Sequence, residues 1–178
     1  MFARSCGFSA YAMRCQNVYG PGQSLSNPYT GILAIFSSLA RANSPIQIFE
    51  DGEESRDFVF VEDAVEATWS CLREEASSVE VFNVGTGQRT TVLQVAKEIV
   101  QYFGSNSKIS VTGAFRQGDI RHNFADMSKI QRAIGFTPQF TFRQGLEQFL
   151  AWVAGQDRSP AGYESSLLEL RERGLLHG

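Results

Sequence analysis

Short apolar segments alternate with segments of helical period along most of this chain, and that alternation limits its possible folds more than any other feature. Five apolar segments have the length of buried strands: residues 8–14, 46–49, 57–61, 79–84 and 108–112. Alternation of strands with helices is typical of parallel strands joined by crossover helices. We therefore predict an α/β fold with a doubly wound parallel sheet, although the strands are too few for a complete sheet of that kind.

Four amphipathic segments are predicted to be helices, because each starts with residues that satisfy the free N–H groups of a helix end. Asn27 and Pro28 suit the start of the first helix, which ends before Ser44 and Pro45. The other three starts are capping-box pairs: Asp63 with Glu66, Thr91 with Gln94, and Thr141 with Gln144. The side chains predicted to face the core are Ile32, Ile35, Phe36 and Leu39, then Val65, Trp69 and Leu72, then Val92, Val95, Ile99 and Phe103, and finally Phe142, Leu146, Phe149, Leu150 and Val153.

The composition is that of a folded chain with balanced charge. Of its 178 residues 43% are apolar and 20% are charged, and the net charge is −3, so neither disorder nor a nucleic-acid partner is indicated. The longest apolar run, residues 31–42, is interrupted by two serines and Arg41, so no membrane span or membrane partner is expected. Residues 1–155 are predicted to form one domain, and residues 156–178 a loosely docked tail.

The cysteines give no sign of a disulfide framework or a metal site. Cys6, Cys15 and Cys71 are widely spaced, and only His122 and His177 accompany them. A reducing, cytoplasmic location fits this pattern best. The alternative is an organelle transit peptide, because the first 49 residues contain no Asp or Glu.

Four motifs in a fixed order carry a resemblance to a known family. They are Arg14-x-x-Asn17-Val18-Tyr19-Gly20-Pro21, Gly52-x-x-x-Arg56-Asp57-Phe58-x-x-Val61-x-Asp63, Asn83-x-Gly85-x-Gly87 and Arg116-x-Gly118-Asp119-x-x-x-x-x-x-Asp126. The series resembles the extended short-chain dehydrogenase/reductase family of NAD-dependent epimerases and dehydratases over residues 7–153. Residues 17–30 are most similar to its thymidine-diphosphate-rhamnose 4-epimerase branch.

The resemblance implies the carboxyl-terminal part of a Rossmann-type parallel sheet together with a small α/β substrate-binding domain. It also implies NAD as cofactor and a nucleoside-diphosphate sugar, linked to dTDP or UDP, as the small-molecule partner. Members of the family are often homodimers. An amino-terminal Rossmann half is expected to be missing from this chain.

The family's catalytic residues have no counterpart in this sequence. The family uses a Tyr-x-x-x-Lys pair and a Ser or Thr to take a proton from the sugar 4-hydroxyl while NAD accepts the hydride. None of the five tyrosines is followed four residues later by lysine, and no glycine-rich phosphate turn follows an amino-terminal strand. We expect the nucleotide-sugar-binding portion of a 4-epimerase, inactive alone. The alternatives are a non-catalytic nucleotide-sugar-binding module, a 4,6-dehydratase fragment, and a folded remnant without a ligand.

Two arginines match the family's diphosphate-binding positions. These are Arg56 and Arg116, and Arg121 lies in the same charged loop as Arg116. Planar guanidinium groups bind phosphate oxygens in bidentate fashion, which suits a nucleoside diphosphate. The alternative is that they are surface arginines, or structural partners of Asp57 and Asp119.

The remaining candidates surround this expected diphosphate site. Asn17 follows a strand end and matches a substrate-binding amide, although it is equally suited to a turn. Gln16 matches a position near the nicotinamide that is commonly aromatic in the family. Gln47 and Phe49 belong to a segment that matches the strand whose backbone reads the base in related enzymes, and a core strand is the alternative. Thr30 is predicted near a helix start, where it binds phosphate or only satisfies the backbone.

The segment Gly85-Thr86-Gly87 is predicted to be a structural turn. It lacks the third glycine and the downstream acid of a dinucleotide-binding loop. Asp63 and Asp126 are predicted to cap helices, because each directly precedes a periodic segment.

Overall fold

Five helices and a set of short strands form the fold in a computed structural model that describes residues 5–25, 31–73, 79–157, 171–174 and 176–177. The helices are α1 Ile32–Arg41, α2 Val61–Arg73, α3 Val92–Tyr102, α4 Ser128–Ile134 and α5 Phe142–Ala154. The strands are β1 Ala10–Cys15, β2 Asn17–Tyr19, β3 Ile46–Ile48, β4 Ser55–Arg56, β5 Phe58–Phe60, β6 Val79–Val84, β7 Thr90–Thr91, β8 Ile109–Val111, β9 Phe115–Arg116, β10 His122–Asn123 and β11 Leu176–His177. Within the described ranges, every helix is too short or too polar to cross a bilayer.

Parallel pairing dominates the strand topology, as the sequence predicts. β1 pairs with β6, β2 with β5, and β3 with β8, all in parallel. β4 is parallel to β10 and antiparallel to β7, and β11 is antiparallel to β9. In the described part of the chain these ladders stay separate, so they form segments of a sheet rather than one continuous sheet.

Two hydrophobic cores lie on opposite sides of β5. Phe58 and Phe60 belong to the first core, with apolar residues of α1, α3 and α5. Val59 belongs to the second core, with Phe82 and other residues of α2, β6 and α4. Successive side chains of a strand point to opposite faces, so three residues of β5 connect both cores.

The local signals for α3 and α5 are confirmed. The Thr91 side chain accepts a hydrogen bond from the Gln94 N–H at 3.1 Å, and Thr141 and Gln144 form the complete capping box of α5. The predicted core face of α5 is buried from Leu146 to Val153. α1 begins at Ile32, later than expected, and the predicted cap at Asn27 and Pro28 lies outside the described residues.

The predicted buried face of α2 is wrong. Val65, Trp69 and Leu72 are 62%, 50% and 68% exposed, and the buried apolar residues of this helix are Ala64, Ala67 and Cys71. Small side chains let the helix approach β5 and β6 closely in the second core. The Arg73 guanidinium lies over the Trp69 ring at 5.2 Å, which gives that indole a cationic neighbour instead of a core contact.

Asp63 and Asp126 were predicted to occupy helix N-caps, and the structure places both at other positions. Asp63 lies inside the first turn of α2, so its assignment as the cap is wrong. Its carboxylate accepts the N–H groups of Gln139 at 2.7 Å and Phe140 at 3.1 Å, which fixes the chain before α5. Asp126 accepts the Ser128 N–H at 2.9 Å and so satisfies one free donor at the start of α4, although Met127 occupies the N-cap position.

Tyr19 and Gly145 join β2 to α5 at the centre of the first core. The Tyr19 hydroxyl donates to the Phe142 carbonyl oxygen at 2.9 Å, and the ring packs edge-on against Phe60 at 5.7 Å. A Cβ atom on Gly145 would contact the Tyr19 hydroxyl and lie 2.8 Å from the Phe60 ring. A side chain larger than that of glycine therefore does not fit at position 145.

We predict that Gly145→Ala destabilises the protein by about 1–3 kcal/mol through overpacking, although alanine is the better helix former. Gly155→Ala is the matched control, since the nearest atom to its Cβ would be the Trp152 carbonyl oxygen at an ordinary 3.6 Å. Urea unfolding of both variants measures the difference. Equal stability of the two variants would contradict the proposed contact.

Candidate functional site

A cavity of about 480 Å³ opens beside β2, in the range typical of small-molecule sites. Its walls come from segments that are far apart in sequence: residues 16–19, α1, the residues around β3, β4, and the loop after β9. The β2–β5 ladder brings the first of these segments beside Phe58, two residues after Arg56. The fold thus creates a common space for side chains that the sequence separates by about a hundred positions.

Most of the predicted ligand residues line this cavity. They are Gln16, Asn17, Gln47, Phe49, Arg56 and Arg116. Arg121 lies outside it, where its guanidinium pairs with Glu50 at 2.9 Å and Asp51 at 2.6 Å. The hydrogen bond from Arg121 lowers the pKa of Asp51. Thr30 lies outside the described residues.

Arg56 is held in a fixed orientation. Its Nη2 donates to Asp119 Oδ1 at 2.8 Å, and its Nη1 donates to the carbonyl oxygens of Ser55 at 3.0 Å and Arg121 at 3.2 Å. A guanidinium carries five N–H donors, so two of them stay available to a ligand. Asp119 is therefore a structural partner of Arg56, in line with the alternative drawn from the sequence. The same ion pair orients the guanidinium at the cavity wall.

Arg116 lines the cavity with its guanidinium beside an aromatic ring. Its guanidinium carbon lies 5.0 Å from the centre of the Phe49 ring, a cation–π arrangement. Its Nε is buried and has no hydrogen-bond partner among the residues described. An unpaired buried donor costs about 1–3 kcal/mol.

Glu54 and Gln23 also line the cavity. Each has one buried side-chain oxygen, Glu54 Oε2 and Gln23 Oε1, without a hydrogen-bond partner in the described part of the molecule. Sequence reasoning missed both residues, because neither position carries a sign of burial. Desolvation raises the pKa of Glu54; Glu50 and Asp51 raise it further, while its own backbone N–H and Arg121 act in the opposite direction. Three residues of the cavity wall thus each carry a buried polar atom that the described residues leave without a partner.

The Gly85-Thr86-Gly87 turn is structural, as predicted. The buried Asp57 carboxylate accepts the N–H of Thr86 at 2.8 Å, the Thr86 hydroxyl at 2.6 Å and the N–H of Gly87 at 2.9 Å. It also accepts the Ala125 N–H at 3.1 Å. The donors with which such a turn would hold a pyrophosphate are therefore already used.

Comparisons with known proteins agree on one family. Residues 1–85 match the NAD dependent epimerase/dehydratase family. The chain is 42% identical over 142 residues to a dTDP-L-rhamnose 4-epimerase of Burkholderia thailandensis, an alignment that covers 80% of this chain and 39% of that protein.

Two solved structures are similar in fold and sequence. A UDP-glucose 4-epimerase of Thermotoga maritima with UDP-glucose has a TM-score of 0.76 at 33% identity, covering 86% of this chain and 48% of that one. A UDP-N-acetylglucosamine 4-epimerase of Methanobrevibacter ruminantium has a TM-score of 0.79 at 29% identity, covering 88% and 49%. The chain therefore spans half or less of the length of these relatives.

We predict that Glu54→Gln raises the melting temperature of the ligand-free protein near pH 7. The raised pKa of Glu54 in the folded protein means that the fold favours the protonated acid. The free energy of unfolding therefore falls as pH rises from the ordinary pKa of 4.5 through the folded-state pKa. The neutral amide avoids that loss, and the advantage disappears near pH 4.

Thermal unfolding at both pH values provides the measurement. Glu53→Gln is the control, since the neighbouring Glu53 is exposed and is expected to change the melting temperature little at either pH. A Glu54→Gln variant that is no more stable than the parent near pH 7 would show that burial of the Glu54 carboxylate does not lower the stability of the fold.

Proposed function

Because this chain belongs to the NAD-dependent epimerase/dehydratase family, we propose that its cavity binds the nucleoside diphosphate part of a dTDP- or UDP-linked sugar. The observation that carries the proposal is that Arg56 and Arg116, which are far apart in sequence, both line one space of about 480 Å³. The two phosphates of a nucleoside diphosphate match a pair of guanidinium groups.

Each wall of the cavity suits one part of such a ligand. Arg56 and Arg116 supply cationic donors to the diphosphate, each charge-assisted hydrogen bond contributing about 1.5–3 kcal/mol. Phe49 offers a flat ring beside the pyrimidine, next to the backbone around Gln47. Asn17 offers an amide that donates to phosphate and accepts from a sugar hydroxyl. We assign Arg121 no ligand contact, because two carboxylates already occupy its guanidinium.

NAD is the cofactor of this family, and the described residues fit it poorly. Gln16 lines the cavity, at the position near the nicotinamide that the resemblance implies. The glycine turn that resembles a phosphate loop has its N–H groups bonded to Asp57. The sequence contains no Tyr-x-x-x-Lys pair. We therefore derive no hydride-transfer step from these residues.

We propose that the chain acts as the nucleotide-sugar-binding portion of a 4-epimerase, with the proton-transfer pair and the NAD turn supplied by an amino-terminal half. The relatives support this, because the chain spans half or less of their length. Its own residues would bind the nucleotide and orient the sugar. A non-catalytic binding module is the second candidate, favoured by the absent pair. An adjacent coding frame with a glycine-rich turn and Tyr-x-x-x-Lys would support the first.

We predict that Arg56→Ala and Arg116→Ala each weaken the binding of UDP and dTDP about ten-fold to 100-fold, because each removes a charged donor from the diphosphate. Arg143→Ala is the control, since that side chain is 78% exposed on α5 and pairs weakly with Glu147. Isothermal titration calorimetry measures all three. Equal losses in the three variants would remove the arginines from the site.

We also predict that the purified chain does not interconvert epimers when NAD is added. The expected reason is the missing proton-transfer pair. Incubation with UDP-glucose or dTDP-rhamnose, followed by NMR of the anomeric protons, measures turnover, and an intact epimerase serves as positive control. Formation of the 4-epimer by this chain alone would refute the assignment.

A further inference from the structure

The carboxyl-terminal strand β11 packs against the loop that carries Arg116. It pairs antiparallel with β9, so that Leu176 lies opposite Arg116 and His177 lies opposite Phe115. The centre of the His177 ring lies 5.2 Å from the centre of the Phe115 ring, with 31° between the two planes. The tail predicted from the sequence thus makes a specific contact near its end, through both backbone pairing and ring packing.

The two strands that carry the cavity arginines differ in their support. β4, which carries Arg56, lies between β10 and β7 and is paired on both sides. β9, which carries Arg116, has β11 as its one partner strand among the described residues. Ladder hydrogen bonds keep the backbone of a strand extended and satisfy its polar groups. The carboxyl terminus therefore supports the backbone at Arg116 but not at Arg56.

The side chains of the two arginines differ in the same way. Arg56 donates to the Asp119 carboxylate and to two carbonyl oxygens. Arg116 forms none of the ion pairs found within the described ranges, and its guanidinium instead lies 5.0 Å from the centre of the Phe49 ring. With fewer side-chain restraints, its position at the cavity wall depends more on the backbone from which it extends.

We propose that β11 is a positioning strand, whose pairing with β9 holds Arg116 at the cavity wall in the place where it binds the diphosphate. This inference rests on the proposed nucleotide site. Neither Leu176 nor His177 lines the cavity, so β11 acts through Arg116 rather than on the ligand. A side chain that is already in position loses less freedom when it binds, which raises the affinity without a new contact.

The test removes the backbone donors of β11 in the full chain. Leu176→Pro combined with His177→Pro removes both N–H groups, since proline has none. Titration calorimetry is expected to show that this proline pair binds UDP about two- to ten-fold more weakly than the wild type, the range expected for loss of preorganisation of one side chain. The matched control is Leu176→Ala combined with His177→Ala, which keeps both N–H groups and is expected to stay within about two-fold of the wild type.

Two further backgrounds separate positioning of Arg116 from general support of the fold. Combined with Arg56→Ala, the proline pair is expected to cause its full loss of affinity, because distant and independent effects add. Combined with Arg116→Ala, it is expected to cause almost no further loss. Equal further losses in both backgrounds, or no loss in the wild-type background, would overturn the inference while the nucleotide site stands. If the wild type does not bind UDP, the proposed function itself fails.

Circular dichroism and thermal unfolding verify that the variants are folded. If the proline pair does not fold, His177→Pro alone replaces it in the same two backgrounds and is expected to show the same pattern. Unfolding of this single variant as well would show that β11 supports the whole domain rather than Arg116, which would also overturn the inference.

Discussion

The buried carboxylate of Asp57 holds together the parts of the molecule on which the cavity depends. It lies between β4 and β5, and its oxygens gather donors from the turn after β6 and from Ala125 before α4. A Cβ on Gly85 would contact this carboxylate, so the turn must carry glycine to approach it. Arg56 precedes Asp57 and Phe58 follows it, which places one side chain in the cavity wall and the other in the first core.

The cavity combines rigid and unsatisfied polar groups in a way that suits ligand binding. Arg56 is fixed by an acid and two carbonyl oxygens, so a ligand meets a guanidinium that has already lost its freedom of rotation. Arg116, Gln23 and Glu54 each keep a buried atom without a partner among the described residues. The first arrangement would lower the entropic cost of binding for any ligand that contacts Arg56. The second is an energetic cost that the free protein carries in the wall of the cavity.

The sequence predicts features that depend on neighbouring residues better than features that depend on distant ones. The capping box at Thr141 and Gln144 is confirmed, because such a box is complete within four residues. At Thr91 only the hydroxyl cap is confirmed, since the Gln94 amide donates to Glu98 instead. The buried face of α2 was wrong, because the choice between its small and large apolar residues depends on how closely the helix approaches the sheet. The two-residue strands β4, β7, β9, β10 and β11 are too short for any periodicity. Motif positions indicated Asn17, Arg56 and Arg116, whereas the burial of Glu54 follows from tertiary packing alone.

The three residues of β5 couple the stability of the two cores. Phe58 and Phe60 enter one core and Val59 the other, and all three are almost fully buried. Unfolding of either core would therefore remove packing contacts from the backbone segment that carries Arg56. A ligand that binds only the folded protein at this cavity is therefore expected to stabilise the helices of both cores together.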